Sequence, residues 1–262
     1  MSKSIKELGS NVVAVVPVLG RTPLLPHTIK RLYRVVDTVI CVCENDQDRG
    51  VCSKAGAKIV NSGNCPLGKK WNDGMEAAKE FNPDFILYVG SSDWVSDNYL
   101  EVMLPLAESH EIVGTLDYHL LHINYNEENR ASFKPRKRFA DYDLDAIRAN
   151  FIDRQLGHWK GYECERKGEP IGIGRLLRRD FLGKVGWRPF EDELHKGLDW
   201  SMIKKTDSFI SIMSEEAQSM AISTSIWSNK HNFKLESTQS FELIDNVDEY
   251  LIKWFPEGLK LF

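Results

Sequence analysis

The fold is decided by residues 12 to 93, a stretch that opens with VVAVVPV (Val12–Val18) and closes with FILYVGSSD (Phe85–Asp93). The first contains the apolar run Val12–Val16 and the second the apolar run Phe85–Val89, as expected for strands buried on both faces of a parallel sheet. Two further apolar runs lie between them, at Thr38–Cys43 and Ala57–Val60. Helical patterns alternate with these strands at Leu24–Val35, Lys69–Phe81 and Asn98–Leu106. This alternation predicts an α/β fold with a Rossmann-like, doubly wound and mostly parallel sheet.

The second half of the chain follows a less regular pattern. Strands are predicted at Glu111–Thr115, Tyr118–Ile123 and Met220–Trp227, and helices at Arg179–Val185, Asp199–Lys205 and residues 237–254. We predict a single domain over residues 1–262, because no repeat or long linker interrupts the sequence. It would have a nucleotide-binding half at about 11–110, an elaborated acceptor-binding half at about 111–235 and a C-terminal helix at 237–254.

The composition is that of an ordinary globular protein: of 262 residues, 42% are apolar and 27% are charged. These values exclude disordered, collagen-like and coiled-coil chains. The net charge of −4 provides no overall electrostatic attraction to nucleic acid or to an anionic membrane. The longest apolar stretch, Val12–Leu19, is too short to cross a bilayer, and the polar segment Met1–Ser10 lacks a signal peptide. Five cysteines without a disulfide-like spacing favour a reducing compartment, so we predict a cytoplasmic protein with no transmembrane segment.

Ligands of doubly wound sheets bind beyond the carboxyl ends of the strands. Four polar segments follow predicted strands in this sequence: Pro17–Arg21, Glu44–Asp46, Asn61–Lys70 and Ser91–Asp93. The candidate functional residues are therefore grouped at one edge of the predicted sheet before any motif is considered.

Two of these segments carry groups suited to a phosphorylated ligand. Asp93 directly follows a buried strand, where a carboxylate suits Mg²⁺ or Mn²⁺ bridging two phosphates. The alternative is a turn residue or a helix N-cap. Lys69 lies at the start of a helix, where exposed N–H groups and the helix dipole favour a phosphate. The alternative is a solvated first turn, and the sequence is not a Walker A loop.

Three features of the second half could also carry chemistry. Asp199 starts a predicted helix beside Trp200, where desolvation suits a general base, and an N-cap is the alternative. His231 lies in a polar turn and is a surface or packing residue unless it joins carboxylates at a metal. The basic run Lys134–Arg138 suits a phosphate-rich acceptor or is a solvated loop.

The order of the motifs resembles that of the GT-A glycosyltransferases, and most closely that of the inverting enzymes of glycosyltransferase family 2. The matching pieces are, in chain order, Val12–Val18, Glu44–Asp46, Gly68…Asn72-Asp73-Gly74…Ala77, Phe85–Asp93, Gly172–Arg179, Val185–Trp187 and Leu198–Trp200. The resemblance covers about residues 11 to 232. Two positions depart from the family pattern, since Ser91 and Leu198 stand where acidic residues are usual.

The resemblance implies a role for each matched position. Asp93 and His231 would bind Mn²⁺ or Mg²⁺ on the diphosphate, and Asp199 would deprotonate the acceptor hydroxyl, with inversion at the anomeric carbon. The donor would be a nucleotide-diphosphate sugar, first of all a UDP-sugar, held by Pro17, Val18, Arg21, Glu44, Asp46, Lys69, Asn72, Ser91 and Ser92. Acceptor contacts are expected from Trp187, Trp200 and Arg175. The acceptor itself stays open among a glycan, a lipid-linked group, a protein and nucleic acid.

Two other functions remain open at this point. A nucleotidyltransferase has a related sheet but carries a glycine-rich basic loop after its first strand, of which Val18–Arg21 is a faint version. A non-catalytic module that binds a sugar nucleotide or nucleic acid is kept open by Ser91 and Leu198. Metal-dependent hydrolysis of a UDP-sugar would distinguish an enzyme from such a module.

Overall fold

The computed structural model describes residues 9–20, 24–63, 66–125, 151–162, 164–225 and 241–255. The strands in these ranges are β1 (Val12–Val18), β2 (Thr38–Cys43), β3 (Lys58–Asn61), β4 (Phe85–Tyr88), β5 (Asp93–Val95), β6 (Ile112–Thr115), β7 (Tyr118–Tyr125), β8 (Phe151–Trp159), β9 (Arg175–Arg178), β10 (Phe209–Ile212), β11 (Ala221–Ser225) and β12 (Phe241–Ile244). The α-helices are α1 (Leu25–Leu32), α2 (Asp46–Lys54), α3 (Leu67–Ala77), α4 (Tyr99–Ala107), α5 (Arg179–Lys184), α6 (Leu198–Ile203), α7 (Ser214–Ala217) and α8 (Val247–Ile252). Every helix in these ranges is too short or too polar to cross a bilayer.

The main sheet has seven strands in the order β10-β6-β9-β4-β1-β2-β3. Neighbouring strands from β4 through β1 and β2 to β3 are parallel, and so are β6 and β10. Strand β9 runs antiparallel to both of its neighbours, β4 and β6. The prediction of an α/β fold with a mostly parallel sheet is therefore confirmed.

Strand β1 shows how the sheet is buried on both faces. Val12, Ala14 and Val16 belong to the core cluster that α1 covers, because successive side chains of a strand point to opposite faces. Val13 and Val15 belong to the cluster on the other face, which α3 covers. Burying each valine side chain contributes roughly 1.5–3 kcal/mol. The β-branched run that predicted this strand is thus the centre of both core layers.

Helix α3 lies directly on the sheet because Gly74 has no side chain. A Cβ atom at this position would lie 2.5 Å from Cγ2 of Val42 and 2.7 Å from Cγ1 of Val15. The close approach places the first turn of α3 beyond the carboxyl end of β1, where the amine of Lys70 donates a hydrogen bond to the Val18 carbonyl.

A second sheet of five strands has the order β12-β8-β7-β11-β5. Strand β5 begins at Asp93, so the turn after β4 leads from the main sheet directly into the second one. One face of the second sheet packs Trp94, Leu121 and Ile222 beneath α8. Asp93 and Tyr118 point to the opposite face, where the Asp93 charge helps to raise the pKa of Tyr118, after the larger effect of burial.

The helix predicted over residues 237–254 is wrong in its first described part. Phe241–Ile244 forms β12, which pairs antiparallel with β8, and α8 begins only at Val247. Asn246 separates the two elements with a φ of 53°, a left-handed conformation that Asn tolerates better than most residues. Pairing with β8 satisfies the backbone of this segment, and its helical pattern does not decide the structure.

Helix α2 has no counterpart among the predicted elements. Of its residues, Asp48 and Cys52 are the buried ones, so the helix lacks the apolar stripe by which a surface helix is recognised. Its first turn is capped by Asn45, whose side-chain oxygen accepts a hydrogen bond of 2.8 Å from the Asp48 N–H.

Candidate functional site

The parallel register brings the ends of several strands together at one edge of the main sheet, here called the carboxyl edge. Val18 lies beside Cys43, and Cys43 lies beside Asn61. Strand β4 ends close by at Tyr88, which pairs with Arg175 of β9. The segments that follow these strands share the edge at which ligands of doubly wound sheets bind.

Asp93 lies in the tight turn that leaves β4. Its Oδ2 atom accepts a hydrogen bond of 3.0 Å from the Gly90 N–H. A Cβ atom on Gly90 would lie 2.4 Å from the same oxygen, so a larger residue there would displace the Asp93 carboxylate. Ser91 and Ser92 are buried within the turn, and the Ser91 carbonyl accepts a hydrogen bond from the Thr28 hydroxyl. The turn therefore holds the Asp93 carboxylate in one orientation.

The surroundings of Asp93 fit a divalent cation that is shared with phosphates. Mg²⁺ is commonly bound through one or two carboxylates together with substrate phosphates. The Asp93 side chain is only partly buried, so a cation carried on a diphosphate can reach it. Ser91 supplies no second carboxylate, and His231, the other predicted ligand, lies outside the described residues. The donor set is small but chemically suitable.

Asp199, the predicted base, lies in the first turn of α6. Its Oδ1 atom accepts a hydrogen bond of 3.1 Å from the Tyr88 hydroxyl and lies 3.4 Å from Nη1 of Arg175. The other carboxylate oxygen, Oδ2, points at Gly172, where a Cβ atom would lie 2.5 Å away. The carboxylate is 29% exposed. It is thus held by one oxygen, while the side chain remains accessible to a substrate.

Tyr88 joins the two acidic residues of the site. Burial raises the pKa of its hydroxyl well above the ordinary value, and the negative charges of Asp199 and Asp93 raise it further. The hydroxyl therefore stays protonated and acts as a hydrogen-bond donor. Asp199 contacts the end of β4 through Tyr88, and Asp93 lies in the turn that follows the same strand.

Arg175 is placed differently from its predicted role in acceptor binding. The residue is fully buried, and its guanidinium donates to the carbonyl oxygens of Pro170 and Ile171. It also donates a hydrogen bond of 3.3 Å to the Asp199 carbonyl. An acceptor cannot touch a side chain enclosed in this way, so Arg175 positions Asp199 instead.

The two adjacent lysines of α3 have different environments. Lys69, the predicted phosphate ligand, is 55% exposed and pairs with Asp73 at 2.6 Å. Lys70 is fully buried and donates to the Val18 carbonyl. Burial lowers the pKa of Lys70, and the negative charges of Glu44 and Asp48 counteract part of this effect. Lys70 is therefore the lysine that supports the loop after β1, while Lys69 lies at the surface.

The acidic residues that follow β2 also differ in their exposure. Asp46 is almost fully exposed and pairs with Arg49, and Glu44 is half-buried beside it. Asp48, which the motif analysis did not select, is fully buried and accepts hydrogen bonds from the Gly20 N–H at 3.0 Å and the Asn45 amide at 2.8 Å. Burial raises the pKa of Asp48 despite these bonds. Asp48 therefore holds the loop after β1 at Gly20, while Lys70 holds the end of β1 at Val18.

The amide of Asn72 is directed into the fold rather than toward the carboxyl edge. It donates to the Phe190 carbonyl and to Asp192, each at 2.8 Å, and it accepts from the Phe190 N–H at 3.1 Å. The residue is fully buried. These contacts use all the hydrogen atoms of the amide, so Asn72 anchors the segment before α6 and its predicted contact with the nucleotide gains no support.

The two tryptophans predicted to bind the acceptor are in different places. Trp187 lies beneath the amine of Lys79, which is 5.9 Å from the ring centroid in the 3₁₀ helix Ala78–Phe81. That helix leads into the start of β4, so Trp187 lies away from the carboxyl edge. Trp200 is 45% exposed next to Asp199, with the Lys204 amine 3.6 Å from its ring centroid. Trp200 therefore lies at the surface beside Asp199, and its role in acceptor binding stays a prediction.

The remaining predicted donor contacts are less informative. Pro17 is half-buried at the end of β1, and the Val18 side chain is in the core, so only its backbone faces the edge. Arg21 and the basic run Lys134–Arg138 lie outside the described residues.

These elements define a GT-A-like class of fold: a mostly parallel α/β sheet whose carboxyl edge leads through an acidic turn into a smaller second sheet. No protein-family model and no curated protein sequence matches the chain.

Solved structures share this fold at low sequence identity. The structure of S. aureus TarS 1–349 in complex with UDP is 14% identical, with a TM-score of 0.50, and the match covers 82% of this chain and 60% of that one. A longer S. aureus TarS structure is 13% identical, with a TM-score of 0.50, and the match covers 82% and 37%. A looser match, with a TM-score of 0.39, is CMP:2-keto-3-deoxy-manno-octonic acid synthetase complexed with CTP, at 14% identity over 82% and 89%. The chain spans 60% of the shorter TarS structure, and the likeness to the two TarS structures concerns the fold alone.

Proposed function

We propose that the protein is a glycosyltransferase that moves a sugar from a nucleotide-diphosphate sugar, first of all a UDP-sugar, to an acceptor hydroxyl. The observation that carries the proposal is the Asp199 carboxylate, held on one oxygen by Tyr88 and Arg175 at the end of β4, the strand whose following turn carries Asp93. Fold alone does not define an activity. The transfer requires an oriented base, here Asp199, and a carboxylate that can hold a metal ion on the diphosphate, here Asp93.

The reaction follows from the placement of Asp199. A carboxylate oxygen of Asp199 accepts the proton of the acceptor hydroxyl while the acceptor oxygen forms a bond to the anomeric carbon. The bond from that carbon to the diphosphate breaks, and its electron pair goes to the leaving oxygen. Attack from the face opposite the diphosphate inverts the anomeric configuration. Tyr88 and Arg175 keep the base in position, and Trp200 offers a surface for the acceptor.

Asp93 would hold Mg²⁺ or Mn²⁺, whose positive charge would stabilise the leaving diphosphate. The nucleoside would lie along the carboxyl edge, against the Pro17–Val18 backbone and Glu44, with Ser91 and Ser92 in the adjoining turn. Lys70 and Asp48 support this surface through their hydrogen bonds to Val18 and Gly20. The UDP bound to S. aureus TarS 1–349, which shares the fold, supports UDP as the first nucleotide to test. Arg21 and His231 stay predictions for the same site, and so does a cytoplasmic location.

The test of the base is a donor-turnover assay on the full chain. A panel of UDP-sugars is incubated with Mn²⁺ or Mg²⁺, released UDP is measured, and the anomeric configuration of the sugar product is read by NMR. Asp199→Asn should abolish turnover and leave UDP binding nearly intact. Asp180→Asn, in the exposed first turn of α5, is the matched control and should retain turnover. Full activity of Asp199→Asn would exclude Asp199 as the base.

The same assay separates the alternative functions. Release of pyrophosphate from a nucleoside triphosphate and a sugar phosphate, without UDP release, would indicate a nucleotidyltransferase. Binding of UDP without turnover of any donor would indicate a non-catalytic module. Asp93→Asn should weaken UDP binding in the presence of the metal ion, and binding that is unaffected by this change would exclude Asp93 as the metal ligand.

A further inference from the structure

A second group of titratable side chains lies away from the carboxyl edge. Asp117, His119 and His158 each offer one ligand atom, and these three atoms all lie within 4.8 Å of one another. Asp117 and His119 are fully buried, and the His158 side chain is 14% exposed. His119 and His158 face each other on neighbouring strands β7 and β8, with their rings 4.6 Å apart.

Hydrogen bonds to Ser214 of α7 and Tyr250 of α8 orient the side chains of this group. Asp117 Oδ1 accepts hydrogen bonds from the N–H and hydroxyl of Ser214 at 2.8 and 3.0 Å, and its Oδ2 lies 2.7 Å from Nε2 of His158. The Nε2 atom of His119 lies 2.9 Å from the Tyr250 hydroxyl. Metal-binding histidines and carboxylates are commonly oriented by such outer contacts.

One buried nitrogen of the group lacks a hydrogen-bond partner among the described residues. This atom is Nδ1 of His119. A buried nitrogen left without a partner destabilises the folded state. The residue is fully enclosed, so bulk water does not compensate for the loss. A bound cation would use this nitrogen and remove the penalty.

We propose that Asp117, His119 and His158 form a binding site for a divalent transition-metal ion, with Zn²⁺ as the expected occupant. Imidazole and carboxylate ligands suit Zn²⁺, which three protein ligands bind with a fourth position left open. The parallel rings of the two histidines do not both point lone pairs at one ion, so one ring turns about χ2 when the ion binds. The ion replaces the Asp117–His158 hydrogen bond.

The site stabilises the second sheet and is separate from the proposed transferase site. His119 lies on the face of β7 opposite Tyr118, and Asp93 faces Tyr118. An ion between β7 and β8 would also tighten the attachment of α7 through Ser214 and of α8 through Tyr250. A cation that binds only the folded chain raises its stability. Zn²⁺ therefore joins elements that are distant in the sequence.

The test uses the full chain after treatment with a chelator, with Zn²⁺ alone as the probe. Calorimetry should show one bound ion per chain, and thermal unfolding should shift upward with added Zn²⁺. Replacing Zn²⁺ by Co²⁺ should produce the absorption bands of low-coordinate cobalt. His158→Gln should weaken Zn²⁺ binding by more than about 100-fold, since even the loss of an outer contact costs 10–100-fold. His195→Gln, at an exposed histidine, should bind Zn²⁺ like the wild type.

Two further variants keep the outcome clear. Tyr250→Phe retains all three ligands and should weaken Zn²⁺ binding by about 10–100-fold. The Tyr250→Phe variant still tests the proposal if His158→Gln does not fold. Asp93→Asn should leave Zn²⁺ binding unchanged, which separates this site from the transferase site. Equal Zn²⁺ affinity of the wild type, His158→Gln and Tyr250→Phe, or no Zn²⁺ binding by the wild type, would overturn the proposal.

Discussion

The hydroxyl of Tyr88 donates a hydrogen bond of 3.1 Å to Oδ1 of Asp199, across 111 positions of the sequence. Tyr88 ends a central strand of the main sheet, and Asp199 begins a short helix in the second half of the chain. The bond connects the rigid core of the sheet to the proposed base. It gives the carboxylate an orientation that α6, only six residues long, would not impose by itself.

Removing this bond should slow transfer more than it weakens donor binding. In Tyr88→Phe the carboxylate loses a buried donor, and a hydrogen bond to a charged group contributes about 1.5–3 kcal/mol. We expect kcat to fall by about 10–100-fold, with little change in the KM for the donor. The control is Tyr33→Phe, which removes a partly exposed hydroxyl bonded to the Gly56 carbonyl. A kcat equal to that of the wild type would show that Tyr88 does not position the base.

Gly172 should be required for the orientation of Asp199. A Cβ atom at this position would lie 2.5 Å from Oδ2, so Gly172→Ala must displace the carboxylate. We expect a loss of transfer with UDP binding retained. Gly183→Ala is the matched control, because a Cβ there meets no atom within 4 Å. Steady-state kinetics and UDP titration of the two variants check the prediction, which fails if both lose activity to the same extent.

The same substitution at the two adjacent lysines of α3 should change stability to different extents. Lys70→Met leaves the buried Val18 carbonyl without its amine donor, which should lower the free energy of unfolding by about 1–3 kcal/mol. It should also weaken UDP binding, because the loop after β1 loses its support. Lys69→Met removes a surface ion pair with Asp73 and should change stability by about 0–1 kcal/mol. Urea unfolding and UDP titration measure both effects, and a larger loss in Lys69→Met would reverse this assignment.

Glu111 should make the stability of the sheet depend on pH. Burial raises its pKa, but hydrogen bonds from the Thr206 hydroxyl and the Asp207 N–H, both 2.7 Å, outweigh burial and hold it below 4.5. A depressed pKa in the folded state stabilises the fold above the unfolded value of 4.5, and this stabilisation is lost as the pH falls through the folded value. Glu111→Gln should therefore lower the unfolding free energy at neutral pH by about 1–3 kcal/mol.

The difference between Glu111→Gln and the wild type should shrink as the solution is acidified, because both side chains are then neutral. Denaturant unfolding over a series of pH values measures the trend. Glu108→Gln, at an exposed position of the preceding segment, should show no such trend. A constant difference at all pH values would mean that the effect of Glu111 is not electrostatic.

Local patterns were sufficient for the core of the main sheet. Strand β2 has the predicted bounds Thr38–Cys43, β4 ends one residue before the predicted Phe85–Val89, and β1 extends two residues beyond the apolar run Val12–Val16. In a chain that alternates strands and helices, a continuous apolar run of this length indicates a buried strand. Elements whose patterns are weak were missed, such as α2 and the edge strand β10, because their burial depends on neighbours rather than on their own periodicity.

The residues of the site likewise divide into those that local sequence patterns located and those that only tertiary contacts revealed. The sequence by itself determined that Asp93 lies at the carboxyl edge of the sheet and that Asp199 starts a helix, since both follow from local punctuation and the rule for strand ends. Only the tertiary structure decided that Lys70 and Asp48 are buried there, that Arg175 lies beneath Asp199 and that Asn72 binds the segment 118 residues away. The physical reason is that burial and hydrogen-bond partners arise from contacts between distant segments, which neither residue type nor spacing encodes locally.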